Sequence, residues 1–203
     1  MFASPLRSAA LFAALGLLSV ADLRAEDKKP DAAIDLKVGD VAPAFQLKDD
    51  ADKTWSSSEH FGKKWVVVYF YPGDFTPGCT AQAKAFKEAM AKLIEQGVEV
   101  VGISGDSVKT HELFKKAQKL NFTLLSDEDG ATAKKFGVPF GKGATVKAKD
   151  ADGKSFEFER AGTAARWTFI VGKDGNVAYK NVKVTPADDA KKIAAFIAGA
   201  EKK

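Results

Sequence analysis

The stretch "WVVVYFYPGDFTPGCTAQAKAF" (residues 65–86) changes its periodicity halfway along. Its first seven residues are apolar, aromatic or β-branched without a polar break, the pattern of a strand buried on both faces. Pro72-Gly73 ends that run, because proline has no N–H for a ladder and glycine turns freely. From Pro77 the apolar positions follow a helical spacing. Phe86, Met90, Leu93 and Ile94 share one face, which predicts a helix over 77–96 with Gly97 as its stop. A buried strand that runs through a short loop into a helix is the opening unit of a layered α/β fold.

The same alternation continues outward. "VEVVGIS" (98–104) predicts a strand. Ser107 to Leu120 predicts a helix with Leu113, Phe114, Ala117 and Leu120 inward. "FTLLS" (122–126) reads as a third core strand, and 129–136 as a short helix closed by Gly137. Upstream, "LKVGDVAPAFQL" (36–47) reads as a short edge strand, followed by a second short strand and turn in "KTWSSSEHFGKK". Downstream, "ATVKAKDADGKSFEFERA" (144–161) alternates on both sides of Asp-Ala-Asp-Gly and predicts a β-hairpin. "RWTFIVGKDGNVAYKNV" (166–182) is another strand pair. Thr185-Pro186 opens a last helix, with Ile193, Phe196, Ile197 and Ala200 as its buried stripe. The expectation is one α/β domain with a central mixed sheet flanked by helices.

The N-terminus reads differently. Arg7 precedes the uncharged run "AALFAALGLLSVA" (9–21), which is followed by Asp22-Leu23-Arg24-Ala25 and then a strongly polar segment. A basic start, a short apolar stretch and small residues at a cut site predict a signal peptide over 1–25, cleaved after Ala25, with Ser19-Val20-Ala21 as the alternative site. The run is shorter than the roughly 20 residues of a membrane span. Export to the periplasm or the outside follows, without membrane attachment after cleavage. The 203-residue chain carries a formal net charge of +4, with lysines scattered among acids. That is not the clustered basic face of a nucleic-acid binder.

Cys79 is the only cysteine. In an oxidising compartment an odd thiol is either reactive or paired with another chain. Its expected place is the opening turn of the 77–96 helix, where free backbone N–H groups and the helix dipole favour an anion such as a thiolate. Thr76 stands three residues upstream, able to aim a hydroxyl at whatever binds beside the sulfur. Pro72 fixes the backbone at the strand exit, and Gly78 lets backbone approach closely.

These residues resemble a family. "YFYPGDFTPGCTAQAKAF" looks like the active-site segment of peroxiredoxins of the bacterioferritin-comigratory or Q type, with its Pro-x-x-x-Thr-x-x-Cys pattern met by Pro72, Thr76 and Cys79. The resemblance extends over about residues 36–198. "LKVGDVAPAFQL" is similar to the family's opening, "VVGISGDSVKTHELFKKAQKLNFTLLSDEDGATAKKFGV" to its middle, and "RWTFIVGKDGNV" to its Arg-x-Thr-Phe segment. It implies a thioredoxin-like fold over 36–203 and an oxidoreductase that reduces hydrogen peroxide or organic hydroperoxides by the cysteine; no cofactor is expected, and no metal, since the sequence has no Cys/His cluster to hold one. Cys79 would be the peroxidatic nucleophile, oxidised to a sulfenic acid. Thr76 would hydrogen-bond the peroxide, and Arg166 would hold the thiolate and stabilise the transition state. Pro72 and the backbone of Gly78 would line the substrate pocket.

The pattern departs in two places. Most Q-type members have glutamate three residues after the cysteine and a second cysteine five residues after it, where this chain has Gln82 and Lys84. The expected cycle therefore uses one cysteine, its sulfenic acid being resolved by an external thiol (thioredoxin-like or small), by another copy of Cys79, or by a dedicated reductant. Lys84 reads as a solvated lysine. The alternative function is a redox-sensing or partner-binding module acting through a mixed disulfide. Monomer and homodimer both remain open. His60 and His111 read as exposed, Trp55, Trp65 and Trp167 as core or pocket aromatics, and Asp127-Glu128-Asp129 as a helix cap. The 144–161 segment is longer than the family usually has there, and is expected to cover the site, form an interface or decorate the surface.

Overall fold

Seven strands make one mixed sheet in the computed structural model of the chain, which describes Met1 and residues 34–201. The signal-peptide reading of 1–25 lies outside the described residues, Met1 apart. At the centre β3 (Trp65–Phe70) runs parallel to β4 (Val98–Ser104), and β4 parallel to β5 (Thr123–Ser126). β8 (Trp167–Val171) joins β3 antiparallel on its other side and continues into β9 (Val177–Asn181). The expected α/β layer architecture with a mixed sheet is the one the chain adopts.

The apolar run of β3 is buried on both faces, as its composition requires. Val67, Tyr69 and Tyr71 point into one core with Phe86 and Leu93 of α1 (Pro77–Glu95), Phe114 of α2 (Val108–Gln118) and Ile193 and Ile197 of α4 (Asp189–Ala200). Val66, Val68 and Phe70 point into the other, with Phe45, Trp55 and Phe136. The two-residue period of a strand sorts its side chains between these layers.

Several boundaries move. The first strand is β1 (Gln46–Asp49), not 36–47, and it is internal, paired with both β5 and the edge strand β2 (Thr54–Ser56). Gly39 and Pro43 interrupt the earlier stretch, which forms no ladder and lies along the sheet edge through a bridge from Val41 to Asn176 and a bond from the Gly39 N–H to the Val177 carbonyl (2.8 Å). Ile94 is exposed, since it lies just off the buried stripe of α1. The last helix begins with a 3-10 turn at Pro186–Asp188, and α4 proper starts at Asp189. The short helix is α3 (Ala131–Lys135), with Asp127 accepting from the Thr132 and Ala133 N–H groups (3.0 and 2.8 Å) as the expected cap.

The hairpin is longer than 144–161. β6 (Phe140–Lys149) and β7 (Ser155–Ala164) form a separate two-stranded sheet. Ala161 donates its N–H to the Gly105 carbonyl (3.2 Å), so the base of β7 is tied to the end of β4, beside the loop that follows β3.

Candidate active site

Residues 71–76 connect the C-terminal end of β3 to α1, and the candidate site residues gather around this loop. Register brings the distant arginine to it. Phe70, at the end of β3, pairs with Trp167 at the start of β8, which leaves Arg166 beside the loop exit. The start of α1 comes back to the same place, and Arg166 Nη2 donates to Cys79 Sγ at 3.1 Å. Cys79 itself is 1% exposed.

Pro77 is the first residue of α1, so Gly78 and Cys79 lie in its first turn, where backbone N–H groups have no intrahelical acceptor. Thr76 is the N-cap with extended backbone, yet its side chain makes no capping bond. Its hydroxyl donates instead to the Gly73 carbonyl (3.0 Å). The only proton on Thr76 Oγ1 is thereby used, and its lone pairs remain as acceptors. Gly78 packs beneath the guanidinium: a methyl group there would sit 3.4 Å from Arg166 Nη2. Pro72 is half-buried at the strand exit. The structure thus brings together Cys79, Thr76, Arg166 and Gly78, with Pro72 at the mouth of the loop.

Gln82, standing where most Q-type sequences have glutamate, reaches the same arginine as the sulfur does. It is fully buried, and its Oε1 accepts from Arg166 Nη1 at 2.5 Å. Lys84 is exposed, as expected.

A second layer under the loop was not expected from sequence. His111, which reads as exposed, has no accessible surface. Its ring nitrogens face Asp74 Oδ2 (2.8 Å) and the Leu125 carbonyl (3.1 Å), an arrangement that an imidazolium satisfies with both of its N–H donors. Burial works against that charge, but Asp74 and the carbonyl outweigh it, and His111 holds its proton above the usual histidine range. Asp74 also accepts from Tyr71 (2.7 Å). Its backbone N–H donates to Asp106 Oδ2 (2.8 Å), and Asp106 Oδ1 accepts from Arg160 Nε (2.8 Å). Burial, with Asp74 nearby, pushes the Asp106 carboxyl upward, and Arg160 opposes the shift. His60 is also partly buried, 2.7 Å from Glu99 and stacked on Trp55. Charged neighbours in sequence hid both histidines, because their partners lie about forty residues away.

Arg160 shows what the hairpin does. From β7 its Nη2 donates to the Asp74 carbonyl (2.7 Å), and its guanidinium fills the space where a Gly73 side chain would stand. Gly73, with φ of 153°, is thus required on both counts. Phe156 and Phe158 of β7 pack at 5.4 and 6.0 Å on Phe75, which holds a left-handed φ of 58°. The hairpin therefore clamps the loop that carries Thr76 and leads into Cys79.

Comparison with known proteins places the chain among relatives of one family. The profile of the AhpC/TSA family matches residues 38–180. The chain is 54% identical over 101 residues to a chloroplastic peroxiredoxin Q of Populus jackii, covering 50% of this chain and 47% of that one. It therefore spans about half the length of the curated plant relatives it matches. It is 40% identical over 151 residues to a peroxiredoxin bcp of Coxiella burnetii, covering 73% and 91%. Among solved structures, peroxidoxin BcpB of Mycobacterium tuberculosis superposes with a TM-score of 0.66 at 28% identity, over 81% of this chain and 97% of that one. The bacterioferritin comigratory protein of Xanthomonas campestris, described for alkyl peroxide reduction, gives 0.64 at 29% identity over 83% and 98%.

Proposed function

The chain belongs to the AhpC/TSA family of peroxiredoxins, of the Q type with a thioredoxin-like fold, and on that premise we propose that it is a thiol peroxidase working through Cys79 alone. One observation carries the reading: a cation and an uncapped helix start meet at a single buried sulfur. Both attract negative charge, the charge a nucleophilic sulfur brings to the reaction. They also supply donors for the charge that develops on the peroxide oxygens.

In the proposed step a sulfur electron pair attacks the terminal oxygen of the hydroperoxide and the O–O bond breaks. The terminal oxygen leaves as part of Cys79–S–OH, and the other departs as alkoxide or hydroxide and takes up a proton. Thr76 Oγ1, left with lone pairs only, suits the peroxide O–H. Arg166 Nη2 and the N–H groups of Gly78 and Cys79 suit its oxygens. A first external thiol then condenses with the sulfenic acid, giving a mixed disulfide and water. A second thiol releases reduced Cys79 and a disulfide product. The reductant proposed is a small thiol or an exposed thiol of a thioredoxin-like protein. The single cysteine favours this route. Both hydrogen peroxide and organic hydroperoxides are proposed as substrates.

The N-terminal pattern of residues 1–25 supports export to the periplasm or the outside, where such a peroxidase would meet peroxide before it enters the cell. The burial of Cys79 favours a small peroxide over a folded protein as the first partner, and so favours the enzyme over the sensor.

The test is turnover of hydrogen peroxide and of an organic hydroperoxide, with dithiothreitol as the reductant, by the wild type and by Cys79→Ser. Turnover by the wild type and none by the variant is expected. Equal turnover by both would sink the reading.

A further inference from the structure

We infer that Asp189 is a positioning residue for the reaction at Cys79, acting through Gln82 to set the direction in which the Arg166 guanidinium is held. This role rests on the peroxidase reading above and extends it to a residue more than a hundred positions from the cysteine.

Gln82 has no accessible surface and stands between two partners with opposite demands. Arg166 Nη1 donates to Gln82 Oε1 at 2.5 Å, while Gln82 Nε2 donates to Asp189 Oδ2 at 2.8 Å. The two ends of an amide are not interchangeable, since one only accepts and the other only donates. Turned over, Gln82 would set its NH2 group against the guanidinium and its oxygen against the carboxylate, losing both bonds. The acceptor at Asp189 therefore selects the orientation in which Gln82 attracts Arg166. Arg166 in turn is held at both prongs, Nη1 on Gln82 and Nη2 on Cys79 Sγ.

Asp189 is itself fixed. It is the first residue of α4, fully buried, and its Oδ2 also accepts from Thr168 Oγ1 at 2.7 Å. Its Oδ1 has no partner among the described residues. An unpartnered buried carboxylate oxygen costs stability, so this group is not explained by stability alone. Burial pushes the carboxyl upward, and Thr168, Gln82, Lys192 and Arg166 oppose the shift. Tyr69 and Tyr179 feel its charge, and both are themselves raised, chiefly by burial. The start of a helix also favours the ionised form.

The experiment is the second-order rate constant for loss of the Cys79 thiol on mixing with hydrogen peroxide in a stopped flow. The rate constant belongs to folded molecules, and the amplitude reports how many are folded. Asp189→Leu removes the acceptor, and a loss of about tenfold or more is expected, the size of one unmade buried hydrogen bond. Asp189→Asn keeps an oxygen that accepts from Gln82 and Thr168, and should stay within about threefold. A pair of variants carries the test even if the leucine variant does not fold. In Gln82→Glu two carboxyl groups face each other, and the rate should fall. Adding Asp189→Asn gives the introduced carboxylate a donor again, and the double variant should be faster than Gln82→Glu alone. A fast wild type with no rescue in the double variant overturns the role of Asp189 by itself. A wild-type rate no better than free cysteine overturns the peroxidase reading, and this inference with it.

Discussion

Arg166 and Cys79 lie 87 residues apart in sequence, and Arg166 Nη2 stands 3.1 Å from the Cys79 sulfur. Pairing of β8 with β3 delivers one partner and the β3–α1 loop delivers the other, so the contact is a product of sheet register. Replacing Arg166 by methionine should lower the rate constant for peroxide by about 10²–10³-fold, the usual cost of one fixed donor at a developing charge. Lysine should recover only part, because a single ammonium cannot hold the sulfur and Gln82 together. Peroxide titration of the free thiol under pseudo-first-order conditions checks both.

Thr76 offers a sharper comparison. Its hydroxyl donates to the Gly73 carbonyl, which leaves the oxygen with lone pairs to accept. Thr76→Val keeps the shape and removes the oxygen, and should cost about tenfold or more in rate. Thr76→Ser restores the oxygen and should restore most of the activity.

The clamp formed by the hairpin is a matter of stability. Arg160 is buried with Asp106 and holds the Asp74 carbonyl. Arg160→Met leaves Asp106 as an uncompensated buried charge, and should cost on the order of 3–5 kcal/mol. Urea unfolding measures this directly. An undiminished midpoint would mean that the hairpin merely decorates the surface.

His111 gives the fold a pH dependence with a definite sign. Its folded form binds the proton more tightly than an ordinary histidine of 6.5, with burial opposing and Asp74 prevailing. Its stabilising contribution is therefore complete below 6.5 and is lost as pH rises through the higher folded value. The wild-type unfolding midpoint should fall as pH rises from 6.5 through the higher folded value. His111→Asn should be less stable at acidic pH, and its difference from the wild type should shrink as pH rises.

The sequence held much of this and hid the rest for physical reasons. The unbroken apolar run of 65–71 announces a strand covered on both faces, and Thr-Pro-Gly-Cys after it announces a helix start with a sulfur in its first turn. Those are local signals, carried by neighbouring residues. His111 was hidden because "KTHELFKK" looks solvated, while the group that buries it, Asp74, belongs to a loop 37 residues earlier. The link between Gln82 and Asp189 spans 107 residues, and no periodicity encodes it. The alternation of 144–161 showed a hairpin, but alternation says only that one face is covered. That Phe75 and the active-site loop cover it is a tertiary fact.

The central claim is that Cys79 is tuned for peroxide. Reduced protein mixed with one equivalent of hydrogen peroxide, quenched rapidly and weighed intact, tests it most directly. The expected result is thiol loss far faster than for free cysteine, with a mass gain of one oxygen on Cys79 and none in Cys79→Ser. Thiol loss at the rate of free cysteine, with hydrogen peroxide and with an organic hydroperoxide alike, would contradict it.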